Sequence, residues 1–143
     1  MAVFDPKQVV VLLDGREISD WADGSDVISA EHSAGAGEYT IGANGKGVFV
    51  ANPDKSLKLQ LKIKQHSEDN KFLTDLFYKQ KNSIKTFTPV TLSIRDLIND
   101  DTVTAVKGYF VDAHTYVRGV GHNAVTHTIV FESGEIKLET GRP

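Results

Sequence analysis

Hydrophobic and polar residues alternate most regularly between Ser56 and Lys64. Leu57, Leu59, Leu61 and Ile63 fall on one side, and Lys58, Gln60, Lys62 and Lys64 on the other. A period of two over nine residues predicts a strand with one buried face. Val90, Leu92 and Ile94 alternate in the same way with Thr91, Ser93 and Arg95, predicting a second such strand. The run Lys7–Leu13 is β-branched and apolar, and Asp14-Gly15 turns the chain after it, as expected of a buried strand. Val27–His32 and Thr102–Ala113 read as further strands, and so do Val125–Phe131 and Glu135–Glu139, with Ser133-Gly134 as the turn between the last two. Tyr116–Asn123, with two glycines, reads as a loop. The period changes once. Ser67 offers an N-cap, Glu68 and Asp69 place acids in a first turn, and Phe72, Leu73, Leu76 and Phe77 recur at helical spacing before Lys79 and Lys81. This predicts one helix of about three turns, over Asp69–Lys81. The chain is therefore mainly β with a single helix.

Ser33–Asn52 (SAGAGEYTIGANGKGVFVAN) fits neither pattern. It holds five of the twelve glycines, and two apolar clusters, Tyr39–Ile41 and Val48–Val50, flank Asn44-Gly45, a dipeptide suited to a tight primed hairpin turn. Ordering this many glycines inside a core costs too much backbone entropy, yet the segment is too apolar for a solvated loop. It reads as a protruding hairpin whose apolar residues find their partners on another copy of the chain. Tyr39, Ile41, Asn44, Val48, Phe49 and Val50 are the candidate interface residues.

At 143 residues the chain has the length of a single domain and can bury a core without staples. It has no cysteine, which removes disulfides, thiolate metal sites and cysteine nucleophiles. The net charge of −3 provides no global basic field for nucleic acid. No apolar run approaches the ~20 residues of a membrane helix, and the opening MAVFDPKQ lacks the regions of a cleaved signal.

Candidate chemistry is sparse. Gly42–Gly47 (GANGKG) departs from a phosphate-binding loop at Thr40, where glycine is needed, and at Gly47, where Ser or Thr is needed. His122 and His127 are five apart, which sends them to opposite faces of a continuous strand; His114 and His122 could meet across a loop, but zinc would need further ligands. The acid pairs Glu68-Asp69 and Asp100-Asp101 look like a helix start and a turn, and no nucleophile signature occurs. No enzyme, metal or cofactor is expected. Trp21 and Phe4 read as local core anchors. Lys58, Lys62 and Lys64 form either a solvated face that guards a sheet edge or a set of contacts to acids of a neighbouring subunit, with Glu132, Glu135 and Glu139 as candidates. Exposed ion pairs contribute only ~0–1 kcal/mol each, so such contacts would set register and leave the drive to the apolar arm.

Four stretches carry a family resemblance: the opening VFDPKQVVVLLDGREISDWADGSDVISAEH, the arm, the unit SLKLQLKIKQHSEDNKFLTDLF, and the closing VKGYFVDAHTYVRGVGHNAVTHTIVFESGEI. Together they resemble the tail tube proteins of contractile-tailed bacteriophages over nearly the whole chain. The resemblance implies a β-sandwich or half-barrel with one helix packed on its outside and a long protruding hairpin, residues 33–52, within a single domain 1–143. It implies rings of six subunits whose sheets join into one inner barrel, stacked into a hollow tube that delivers DNA to the host. Implied partners are further copies of the chain, the sheath protein, the baseplate and tail terminator proteins, and the tape measure protein and genomic DNA in the lumen, held without specific binding. The implied location is the virion tail, assembled in the host cytoplasm. The same fold serves phage-derived bacteriocins and type VI secretion tubes, and a monomeric β-sandwich binding module is the remaining alternative. Duplex DNA carries a charge every ~1.7 Å and must not stick to its conduit, so the lysine row is expected to face a neighbour or the exterior, with acids on the bore.

Overall fold

The alternation at Ser56–Lys64 forms the strand that anchors the sheet. The computed structural model describes residues 3–139; Met1, Ala2 and residues 140–143 lie outside it. In chain order the elements are a short 3-10 turn at Pro6–Gln8, β1 (Val9–Leu13), β2 (Arg16–Ile18), β3 (Ile28–His32), β4 (Gly37–Ile41), β5 (Gly47–Ala51), β6 (Leu57–Ile63), α1 (Glu68–Asn82), β7 (Val90–Asp96), β8 (Thr102–Phe110) and β9 (Val125–Lys137). Among the described residues, seven strands make one antiparallel sheet in the order β2-β1-β7-β8-β9-β6-β3, and β4 and β5 pair only with each other.

The sheet rolls into a half-barrel. After edge strand β2 the chain crosses to the opposite edge. There the Ala22 amide donates to the Lys62 carbonyl (3.1 Å) and the Lys64 amide to the Asp20 carbonyl (2.9 Å), with Trp21 opposite Ile63. Inside the roll lie Val11, Leu13, Leu57, Leu59, Leu61, Ile63, Val90, Ile129 and Phe131, all with no solvent exposure. The two alternating segments supply much of this core, as their period requires. Half-buried Trp21 packs against it, as expected, whereas Phe4 is largely exposed.

Helix α1 lies on the apolar face. The Ser67 hydroxyl accepts from the Asp69 amide (3.1 Å), forming the predicted N-cap. Leu73 is fully buried, and Phe72, Leu76 and Phe77 pack on the core. Two further contacts fix its ends. Buried Asp69 accepts from Arg16 (3.3 Å) and from the Ser19 amide (3.1 Å), tying the helix start to β2. The Gln80 side chain accepts from the Phe110 amide (2.8 Å) and donates to the Phe110 carbonyl (2.9 Å), clamping the helix end to β8.

Besides Phe4, which is no core anchor, the sequence reading is corrected at three places. The strand Arg16–Ile18 is not evident from so short a run; it exists because Val11, Leu12 and Leu13 of β1 pair with it across the Asp14-Gly15 turn. The segments 125–131 and 135–139 form one strand that runs through Ser133-Gly134, with Gly134 paired to Ala105. Gly134 is there because space is short: a Cβ at this position would run into the Leu57 side chain. Gly108 likewise lies directly under the Phe131 ring. Both close approaches accompany an irregularity, since β7 and β8 shift register between Val90 and Leu92 and Lys107 takes φ 58°. Such a bulge bends a sheet and strengthens its twist. The arm's turn is the third correction, described below.

A candidate assembly interface

The arm is a two-stranded hairpin in which Tyr39 pairs with Phe49, Thr40 with Val48 and Glu38 with Val50. Strand alternation therefore gives it two faces. One carries Tyr39, Ile41 and Phe49, with the Tyr39 and Phe49 rings edge to face at 5.2 Å. The other carries Val48 and Val50 beside Glu38 and Thr40. All ten strand residues are exposed. At about 3.4 Å per residue each strand extends roughly 17 Å.

The turn at its tip is not the primed two-residue type. The Gly45 amide donates to the Gly42 carbonyl (3.0 Å), and the Gly42 amide donates to the Lys46 carbonyl (2.9 Å), which encloses Ala43, Asn44 and Gly45. Only Gly45 is left-handed (φ 78°). Asn44 keeps an ordinary φ because its side chain is engaged locally, accepting from the Lys46 amide at 3.1 Å. A three-residue loop closed by a left-handed glycine results. The root is pinned by Ser33 to Ser56 (3.1 Å) and Asn52 to Ala36 (2.9 Å). Beside it the Asp54 carboxylate accepts from the Ser56 amide (2.8 Å), and Ser56 holds that carboxyl below its ordinary range.

At the root of the arm a groove of about 860 Å³ opens across the polar face of the sheet. Its floor follows the register: Leu12 opposite Ser93, Ser93 opposite Thr104, Thr104 opposite Glu135. Val106 adds an exposed apolar surface, and His32 and Lys55 wall the arm side.

The charged candidates lie on or beside that face. Lys62 pairs with Asp26 (2.8 Å), which holds the Asp26 carboxyl below its usual range, and Lys58 stands opposite Glu31 in the β3–β6 register. Lys64 is exposed just past the end of β6. Glu132 pairs with Lys107 (3.4 Å) and Glu135 with Lys137 (3.8 Å), while the Glu139 amide donates to Asp101 (2.7 Å). Lys58, Lys62, Glu132 and Glu135 thus have neighbours of opposite charge within the chain.

The histidines pair differently from the sequence expectation. His122 meets His66 (5.3 Å between rings) and His114 meets His127 (6.1 Å). His114 and His122 thus each stand against a different histidine. His127 is buried and hydrogen-bonded to Asn70 (3.0 Å), and burial, with the neighbouring His114, lowers its pKa to about 4. Among the described residues no group of three or more His, Asp or Glu is placed to hold a metal ion, and no helix is long and apolar enough to cross a membrane. Sequence reasoning missed the groove and a second exposed apolar segment, Val111, Tyr116, Val117 and Val120. The groove depends on cross-strand register, which no local pattern reveals. The valines and the tyrosine were visible, but the glycines among them suggested only a loop.

No curated protein matches the sequence. Among solved structures, the chain superposes on the sheath/tube terminator of an extracellular contractile injection system, PVC, in its extended state. The TM-score is 0.61 at 7% identity, covering 96% of this chain and 98% of that one. It also superposes on the tube terminating cap of the anti-feeding prophage, with a TM-score of 0.54 at 8% identity, covering 96% of this chain and 93% of that one. At such identities the likeness is one of fold. A family model, the bacteriophage PhiTE tail tube protein, matches residues 13–139. With this match over most of its length, the chain belongs to the phage tail tube protein family, whose members build structure and are not enzymes.

Proposed function

We propose that this chain is the repeating subunit of a phage tail tube. Six copies form a ring through their sheet edges, rings stack through the arms, and the resulting bore conducts DNA into the host. The observation that carries this is the arm: its apolar faces are exposed and, among the described residues, its strands pair with nothing but each other. Burying a large apolar side chain contributes about 1.5–3 kcal/mol, so Tyr39, Ile41, Val48, Phe49 and Val50 together form a strong adhesive surface. The open edges β2 and β3 supply unpaired backbone groups for head-to-tail contacts, which close into a ring when the rotation permits. Lys58, Lys62 and Lys64 then meet Glu132, Glu135 and Glu139 of a neighbour as register contacts. In the particle the tube would lie in the virion tail, inside a sheath, bounded by baseplate and terminator and filled by tape measure protein and DNA, having assembled in the host cytoplasm.

Deletion of Glu38–Val50 tests the reading. The shortened chain is expected to keep its circular dichroism and thermal transition while electron microscopy shows no tubes. Loss of folding would instead assign the arm to the core. The fold neighbours favour a second reading, a terminator that closes the tube end. Electron microscopy of the purified protein separates the two: long tubes support the repeating subunit, and single rings that never stack support the terminator.

A further inference from the structure

We propose that the apolar surface built around the β7–β8 turn takes the 111–124 loop of a second copy, in a contact separate from the arm. The inference deepens the tube reading and rests on it. The register places the two surfaces at opposite ends of the same sheet. Val9 pairs with Asp96, Arg95 with Thr102 and Thr102 with Lys137, so residues 3–8, 97–101 and 138–139 gather at one end. Phe110 pairs with Ile129 and Ile63 with Val125, so the 111–124 loop lies at the other. A copy displaced along the strands brings one end against the other. Each pair of copies still offers one free surface of each kind, so the contact is heterologous and repeats without closing.

The turn is built to hold its shape. Buried Asp96 accepts from the amides of Ile98 (3.0 Å) and Asn99 (3.2 Å) and from the Asn99 side chain (3.1 Å). The Asn99 side chain also donates to the Val3 carbonyl (3.0 Å), the Leu97 amide to the Gln8 carbonyl (2.9 Å), and the Glu139 amide to Asp101 (2.7 Å). Three segments far apart in the chain are fixed together in this way, yet Phe4, Leu97, Ile98 and Leu138 are each at least 40% exposed. A surface ordered before its partner arrives loses less entropy on binding.

The chemistry of the two ends matches. The loop presents Tyr116, Val117 and Val120, with Tyr116 80% exposed and Val120 fully so. Residues 96–101 hold Asp96, Asp100 and Asp101 and no base, whereas residues 115–124 hold Arg118 and no acid. Arg118 lies over the Tyr116 ring (4.1 Å), which keeps its charge beside the apolar tip. Opposite charge around two apolar patches favours turn against loop and disfavours turn against turn.

Because the chain has no cysteine, introduced thiols report cleanly. The variant Ile98→Cys with Val117→Cys, assembled and treated with a short bismaleimide, is expected to give a ladder of covalent multimers on a denaturing gel. Each single variant should stop at dimers, and Ile98→Cys with Lys71→Cys on the helix should give no ladder. In a second measurement, Val117→Asp with Val120→Asp, arm intact, should keep the circular dichroism and thermal transition of the unmodified chain and raise the concentration needed for tubes at least tenfold. Tubes without a ladder, a ladder equal to that of the helix control, or an aspartate variant that forms tubes at an unchanged concentration would each overturn this contact and leave the tube reading standing. An unmodified chain that stays monomeric at high concentration would remove both.

Discussion

His127 and two glycines show how much single positions decide here. His127 is buried against Asn70, and its pKa falls from the ordinary 6.5 to about 4. The folded chain thus binds fewer protons than the unfolded chain between these values, so stability rises with pH through that window. The contribution is full above pH 6.5 and disappears as pH falls through about 4. The total is about 3 kcal/mol at 1.36 kcal/mol per unit. Urea unfolding of the arm-deleted chain at pH 7.5 and pH 4.5 is expected to show this loss, and His127→Gln should flatten it. Burial pushes the Asp96 carboxyl up, but the donors of Asn99 and Ile98 outweigh this and hold it below the usual range. Part of any further loss at lower pH therefore belongs to the Asp96 turn. Gly134→Ala is expected to cost about 1–3 kcal/mol, because the new methyl overpacks against Leu57; thermal unfolding checks this. A glycine serving only a surface turn would not penalise added volume in this way.

At the scale of elements, the helix and the arm are built on opposite principles. Helix α1 is tied at both ends, by Asp69 to β2 and by Gln80 to β8. Ser67→Ala should cost about 1 kcal/mol through loss of the cap. Asp69→Ala should cost about 2 kcal/mol through loss of charge-assisted hydrogen bonds. Denaturant titration of both variants would show whether the second effect exceeds the first, as burial of Asp69 and its tertiary partners require. The arm is tied only at its root. Tyr39→Ser with Phe49→Ser is therefore expected to leave the unfolding midpoint of the single chain unchanged while raising the concentration needed for assembly by more than tenfold. Sedimentation velocity measures the second quantity and circular dichroism the first.

For the whole molecule, the distribution of charge follows from how the sheet is rolled. Apolar positions of β1, β6, β7 and β9 turn inward, so Lys58, Lys62, Arg95, Lys107 and Lys137 remain on the solvated side or at its margins. Lys62, Arg95, Lys107 and Lys137 each have a carboxylate within 4 Å, and Lys58 lies opposite Glu31. These exposed pairs add little to stability. What they change is the field that a passing polyanion would meet, which they cancel over distances beyond a Debye length of ~8 Å. Glu132→Gln with Glu135→Gln leaves Lys107 and Lys137 without these acids. The assembled variant is expected to retain duplex DNA at 50 mM salt where the unmodified tube does not, measured by co-sedimentation.

Local pattern determined the strands Leu57–Ile63 and Val90–Asp96, the helix with its Ser67 cap, and the exposed apolar arm. Periodicity and capping act between residues a few positions apart, so the chain states them directly. Tertiary structure alone decided that Ser133-Gly134 continues a strand, that Arg16 reaches Asp69, and that His66, not His114, meets His122. It also brought Leu12, Ser93, Thr104 and Glu135 into one row. Each of these outcomes depends on the register between segments far apart in the chain, and a one-residue slip would send every side chain of a strand to the opposite face.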